Sequence, residues 1–244
     1  QNVIEGNKKV LVARLEDAKF FYNIDTEKKL EDYVSDLENL VFFEGLGNMD
    51  QKRQRLVELC QRYQEELNLA DDIRQDAIRA AHLAKADLVT KMVVEFTELQ
   101  GTMGYIYALN SGEKQRVATA IKEQYLPKNQ NSETPKSMVG ILLSIADKMD
   151  SIVGLYAIEN YVTGSRDPFG LRRAALGIIN IILENSIDVD LKKLISEALL
   201  VYTEKNALAF DYDKTVEECL SFIKDRLKNK LLHDGYRYDI VNSV

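Results

Sequence analysis

Apolar residues recur along most of this chain at spacings of three and four, the period of an α-helix with one face in a core. The clearest stripe lies late in the sequence, where Leu171, Ala174, Ala175, Ile178, Ile179 and Ile182 fall on one helical face. The same period predicts helices from Lys9 to Tyr22, Glu27 to Glu44, Asp50 to Leu67 and Ala70 to about Lys91. In the Glu27 segment Leu30, Tyr33, Leu37, Leu40 and Val41 share the packing face. After Glu98 the chain turns polar, passes Gly101 and Gly104, and resumes helical character up to Tyr125. Further helices are expected from Ser137 to Gly154, Pro168 to Glu184, Leu191 to Tyr202 and Thr215 to Leu232. The spacing of Thr215 to Glu218 fits a capping box at the start of the last one. Pro127 to Pro135, with Asn129, Asn131 and Ser132 between, reads as a surface loop. No run alternates convincingly with the period of two that marks a strand. The expected fold is all-α, a compact multi-helix bundle.

Composition agrees. Three prolines and twelve glycines in 244 residues leave helices uninterrupted, and 45% hydrophobic content supplies a sizeable core. A net charge of -7 argues against a protein that coats nucleic acid without specificity, although an acidic body can carry a local basic patch. Cys60 and Cys219 lie far apart with no metal-ligand spacing. No apolar stretch approaches the roughly 18 residues that a membrane span needs. The expectation is a reduced, cytoplasmic chain with no membrane partner. Because it begins with Gln1 and not Met, the chain is expected to be an excised piece of a longer product.

The most informative segment for chemistry runs from Gly164 through Ser165, Arg166 and Asp167 to Pro168. Asp before Pro is a helix-start signal, since the carboxylate accepts from free amides and proline tolerates the first turn. Arg166, Arg172 and Arg173 then crowd the positive end of the helix dipole. Such cations either pair with internal carboxylates or face a phosphate ligand, and the residues alone leave both open. Phe169 could stack on a base, but at the start of an amphipathic helix it reads more simply as core. Glu95, Glu98, Asp147 and Asp150 could form an acid and base pair, or could neutralise Lys85, Lys91, Lys148 and the arginines near Asp167. His82 reads as a partly buried structural residue. The chain has no glycine-rich phosphate loop, no serine nucleophile elbow and no histidines at metal spacing, so no catalytic residue is assigned.

Five runs carry a family resemblance: ARLEDAKFF, AAHLAKADLVTKMVVEFTELQGTMG, GEKQRVATAIKEQYLP, ADKMDSIVG and TGSRDPFGLRRAALGIINII. Together they resemble the beta subunit of the bacterial two-subunit glycyl-tRNA synthetase, from about Gly6 to about Asp239. That subunit is much longer, so the resemblance implies an internal fragment. It also implies an HD-type helical fold, named for a metal-binding His-Asp pair, over residues 26–244, with residues 1–25 as an N-terminal segment and first helix packed on or leading into it.

Against the HD pattern, Asp147 resembles the closing metal-ligating aspartate, and Asp87 survives where the pair should lie. The residue before it is Ala86, however, and no upstream histidine matches. His233 and Asp234 are adjacent but come after Asp147, in the wrong order. Lys85, Asp87 and Asp147 are therefore vestigial metal-site positions, at which a lysine could take part of the cation's space and no metal is expected. The resemblance implies a non-catalytic, tRNA-binding module that holds no cofactor itself. The complete enzyme, with its alpha subunit, the rest of the beta subunit, ATP and magnesium, would join glycine to its tRNA. Candidate tRNA contacts are Arg166, Arg172 and Arg173, then Lys148, Lys85 and Lys91, acting on phosphates. A purely structural scaffold and a residual metal-dependent phosphohydrolase are the alternatives.

Overall fold

A computed structural model describes residues 2–67, 69–129, 132–159, 167, 169–206 and 208–243. Eleven α-helices lie among the described residues: α1 (Asn2–Asp25), α2 (Met49–Glu66), α3 (Asp71–Leu83), α4 (Lys91–Glu95), α5 (Thr102–Asn110), α6 (Gln115–Glu123), α7 (Met138–Ala157), α8 (Leu171–Glu184), α9 (Leu191–Asn206), α10 (Tyr212–His233) and α11 (Tyr238–Ser243). Among the described residues the fold is all-α apart from one small hairpin.

The centre of the bundle is α7. All its residues except Met138, Asp147 and Ser151 are buried, as befits a helix apolar on every side. Helices α2, α3, α6, α8, α9 and α10 pack around it. Its start is sharp because Ser137 caps it, the hydroxyl accepting from the Gly140 amide at 3.0 Å. From α8, Leu171, Ala175, Ile178 and Ile179 enter the core, while Ala174 and Ile182 pack at its edge.

Several boundaries differ from the periodicity. The Glu27 segment is not one helix but a 3-10 helix, Leu30–Asn39, followed by β1 (Val41–Phe43) and β2 (Gly47–Asn48) in an antiparallel hairpin. Gly45 and Gly47, at φ of 86° and 88°, turn the chain there, which leaves Val41 exposed and not in the core. The long Ala70 helix stops at Leu83, because Lys85 takes a left-handed conformation at φ 69° and starts a short 3-10 turn, Ala86–Val89. Gly112, at φ 86°, divides the stretch before Tyr125 into α5 and α6. Helix α10 is capped by Asp211, which accepts from the Lys214 amide at 3.1 Å. Thr215 lies inside the helix and its hydroxyl bonds Asp211 O.

The N-terminal helix joins the bundle through its C-terminal half, where Arg14 reaches Glu95 and Phe96 of the segment that includes α4. Ala18, Phe21 and Tyr22 pack against the core, while every residue from Ile4 to Asp17 is exposed. Asp25 fixes the junction, accepting from the amides of Lys91 and Met92 at 2.9 Å each and from the Tyr107 hydroxyl at 2.8 Å. No helix among the described residues is long and apolar enough to cross a membrane.

Candidate functional site

Side by side on α2, Lys52 and Arg55 lie in phase with Leu56, Leu59 and Tyr63 and so turn inward with them. Asp147 and Asp150, three apart on α7, meet them. Lys52 Nζ lies 2.8 Å from Asp150 Oδ2 and 3.1 Å from Asp147 Oδ1. Arg55 Nε donates to Asp150 Oδ1 at 2.6 Å. From the turn after α3, Lys85 Nζ reaches Asp147 Oδ2 at 2.9 Å. Aromatic faces close the network. Lys52 sits over Phe42 at 4.3 Å, Lys85 over Tyr125 and Arg55 over Tyr202 at 4.2 Å each.

The electrostatics follow from that arrangement. Burial by itself raises the pKa of Asp147, but the Lys85 and Lys52 ammoniums override it and hold the carboxyl well below its usual range. Asp150 is lowered likewise, against burial, by Arg55 and Lys52. Lys85 is lowered, because burial and the like charge of Lys52 outweigh its carboxylate. Asp87, from the same turn, accepts from the Gly101 amide at 2.5 Å, and burial raises its pKa. Gly101 is suited to this approach, its φ of 77° aiming the amide at Asp87.

This geometry does not suit a metal. A divalent ion ligated by Asp147 would sit against two ammoniums, and no group of three or more His, Cys, Asp or Glu among the described residues could hold one. His82 lies apart from the network, with Nε2 3.2 Å from Glu31 and Nδ1 3.0 Å from Arg53. Asp234 pairs with Lys230 at the end of α10.

The head of α8 differs from its sequence reading. The helix begins at Leu171, after Gly170 in a left-handed conformation, and not at Pro168, which with Gly164, Ser165 and Arg166 lies outside the described residues. Asp167 nevertheless reaches forward to accept from the amides of Arg172 and Arg173 at 3.3 Å each. Its own carboxylate thus occupies the dipole end, with the Arg173 guanidinium 3.8 Å away. Phe169 is not core: it is 42% exposed and meets Phe43 edge to face at 5.1 Å.

The candidate cations separate into two sets. Lys85 is buried in the network, and Lys148 is buried with its ammonium donating to Leu126 O at 2.6 Å, Ser144 Oγ at 2.7 Å and Gln124 O at 3.2 Å. Both ammoniums are engaged inside the protein, which makes the exposed cations the better placed surface contacts. Arg173 and Lys91 are exposed and Arg172 is half-buried. Asp147 pairs with lysines and not with the arginines of α8, and Glu95 pairs with Arg14 at 3.5 Å. Sequence reading missed Lys52 and Arg55. Their signal was phase, two charges on the apolar stripe of an amphipathic helix.

Beside Asp147 and Lys148 the surface carries a concavity of about 190 Å³, walled by Lys128, Phe169, Gly170 and Arg173. Fold and site together define an all-helical protein whose core is pinned by a buried charge network and whose cleft is lined by cations and an exposed aromatic. Comparison with known proteins gives the family. Residues 1–244 match the family described as glycyl-tRNA synthetase beta subunit. The chain is 48% identical over 243 residues to the glycine–tRNA ligase beta subunit of Clostridioides difficile (strain 630), covering 100% of this chain and 35% of that protein. It is 44% identical to that of Shouchella clausii (strain KSM-K16) and 43% identical to that of Buchnera aphidicola subsp. Schizaphis graminum (strain Sg), again covering 100% of this chain and 35% of each relative. The chain belongs to the glycyl-tRNA synthetase beta subunit family and spans about a third of the length of these relatives.

Proposed function

We propose that this chain is a non-catalytic, tRNA-binding module of a glycyl-tRNA synthetase beta subunit, built as a degenerate HD-like domain. With the remainder of that subunit and an alpha subunit it serves the ATP- and magnesium-dependent joining of glycine to its tRNA in the cytoplasm. The observation that carries the reading is the cleft at the head of α8, where Arg173 and Lys128 stand exposed beside Phe169 on an otherwise acidic body. Support for the HD-like part is the meeting of Lys85 with Asp147 close to Asp87, at the positions where the family pattern would place metal ligands. The charge network speaks against a residual metal-dependent phosphohydrolase, since Lys52 and Lys85 claim the carboxylate such a metal would need.

A scaffolding role is the second reading. It draws on Asp167, which already neutralises the α8 amides, and on the exposed apolar residues of α1, among them Ile4, Leu11 and Leu15. The two readings part on one measurement. In the complete enzyme, Arg172→Ala with Arg173→Ala is expected to weaken tRNA binding and to reduce the salt slope by about 1 to 2, because each lost phosphate contact releases about one counterion fewer. Unchanged affinity at every salt concentration, with unchanged melting, would favour the scaffold.

A further inference from the structure

We infer that the concavity at the head of α8 is a site for one unpaired nucleotide of the RNA, its base stacked on Phe169 and its phosphate held by Arg173 and Lys128. The assignment rests on the tRNA-binding reading above and adds to it a single-stranded contact that phosphate positioning alone does not require.

Several observations converge on it. Phe169 lines the concavity and leaves 42% of its surface to solvent, although a phenylalanine at the start of an amphipathic helix would ordinarily be folded inward. Its ring meets Phe43 edge to face, which holds one edge of the ring in place. Arg173 and Lys128 are exposed on the same wall, and the Arg173 side chain is held only loosely by Asp167, at 3.8 Å. The carboxylate in the wall, Asp147, already faces two ammoniums and so offers an incoming phosphate little repulsion. At about 190 Å³ the space is well below the roughly 300–1,000 Å³ of pockets that enclose a drug-sized ligand. It suits one flipped-out base better than a whole cofactor or a duplex, whose bases are stacked out of reach.

The test uses the complete enzyme and glycine tRNA in which each unpaired nucleotide in turn is replaced by 5-iodouridine, a photo-crosslinker that reacts with stacked aromatic side chains. One position is expected to give an adduct mapped to Phe169 by mass spectrometry. Phe169→Leu, which keeps an apolar contact with Phe43, should abolish that adduct and weaken tRNA binding about 5- to 100-fold, with an unchanged salt slope. Phe169→Trp should retain both adduct and affinity. An adduct at no unpaired position overturns the proposal without recourse to any variant. So does wild-type affinity in Phe169→Leu, and if Arg173→Ala still weakens binding in that case, the backbone reading survives alone. If neither variant changes affinity, both readings fall.

Discussion

Asp147 shows how much a single side chain carries here. It is the shared counter-charge of Lys52 and Lys85, and replacing it with asparagine would leave two buried ammoniums facing one carboxylate fewer. Removing one partner from a buried pair costs about 3–5 kcal/mol, and Asp147→Asn is expected to fall in that range by urea denaturation at neutral pH. The pH dependence has a definite sign. The folded carboxyl lies below its usual range and the unfolded one near about 3.9, so its contribution is present above pH about 4 and lost as pH falls through the folded value. The cost of Asp147→Asn should therefore shrink below pH about 4, where the unfolded wild type takes up a proton that the folded carboxyl, with its lowered pKa, does not yet accept. A cost that stayed constant from neutral pH to about pH 2.5 would show that the destabilisation is not electrostatic.

At the scale of elements, the two ends of the chain's chemistry behave differently. Helix α8 depends on a cap from outside its first turn, so Asp167→Ala frees two amides and should cost about 0.5–2 kcal/mol. The same change removes the internal anion, and tRNA affinity should rise if Arg173 then turns to phosphate; a fall in affinity would contradict that account. Helix α1 is the opposite case. Leu11 and Leu15 touch little, at 61% exposure each, so replacing either with alanine should change the stability of this chain by less than about 0.5 kcal/mol. The same substitution at a buried leucine of α7, such as Leu142, should cost about 2–5 kcal/mol. Thermal or chemical melting of the variants separates these outcomes.

For the whole molecule, a buried charge network ties together α2, α7 and the turn after α3. Exhaustive chelation is expected to leave the melting temperature unchanged, because Lys52 and Lys85 already balance Asp147. A drop of several degrees, reversed by one divalent ion per chain, would contradict the network as described. The helical class, the α8 stripe and the presence of a helix from Ser137 were legible in the sequence, because packing a helix into a core leaves a periodic trace. The hairpin after the first 3-10 helix was not, since strands of three and two residues are too short to show a period and only Gly45 and Gly47 hint at a turn. The break at Lys85 was hidden for a related reason: a left-handed lysine has no sequence signature of the kind glycine gives. Among the site residues, Asp147 and Lys85 could be singled out by pattern. Lys52 and Arg55 were visible only as charges out of place on an apolar stripe.

The sequence by itself determined which residues must leave water, and with that the all-helical class and the family, because both follow from the order of side chains along the chain. Only the tertiary structure decided which cations are surface and which are structural. Arg172, Arg173, Lys85 and Lys148 look alike in a sequence, yet Lys85 and Lys148 are buried among carboxylate and carbonyl oxygens while Arg173 stands in solvent. Charge is a property of the residue. Its availability to a ligand depends on desolvation and on partners far away in the sequence, such as Asp150, 98 positions from Lys52, and those are set when the helices pack.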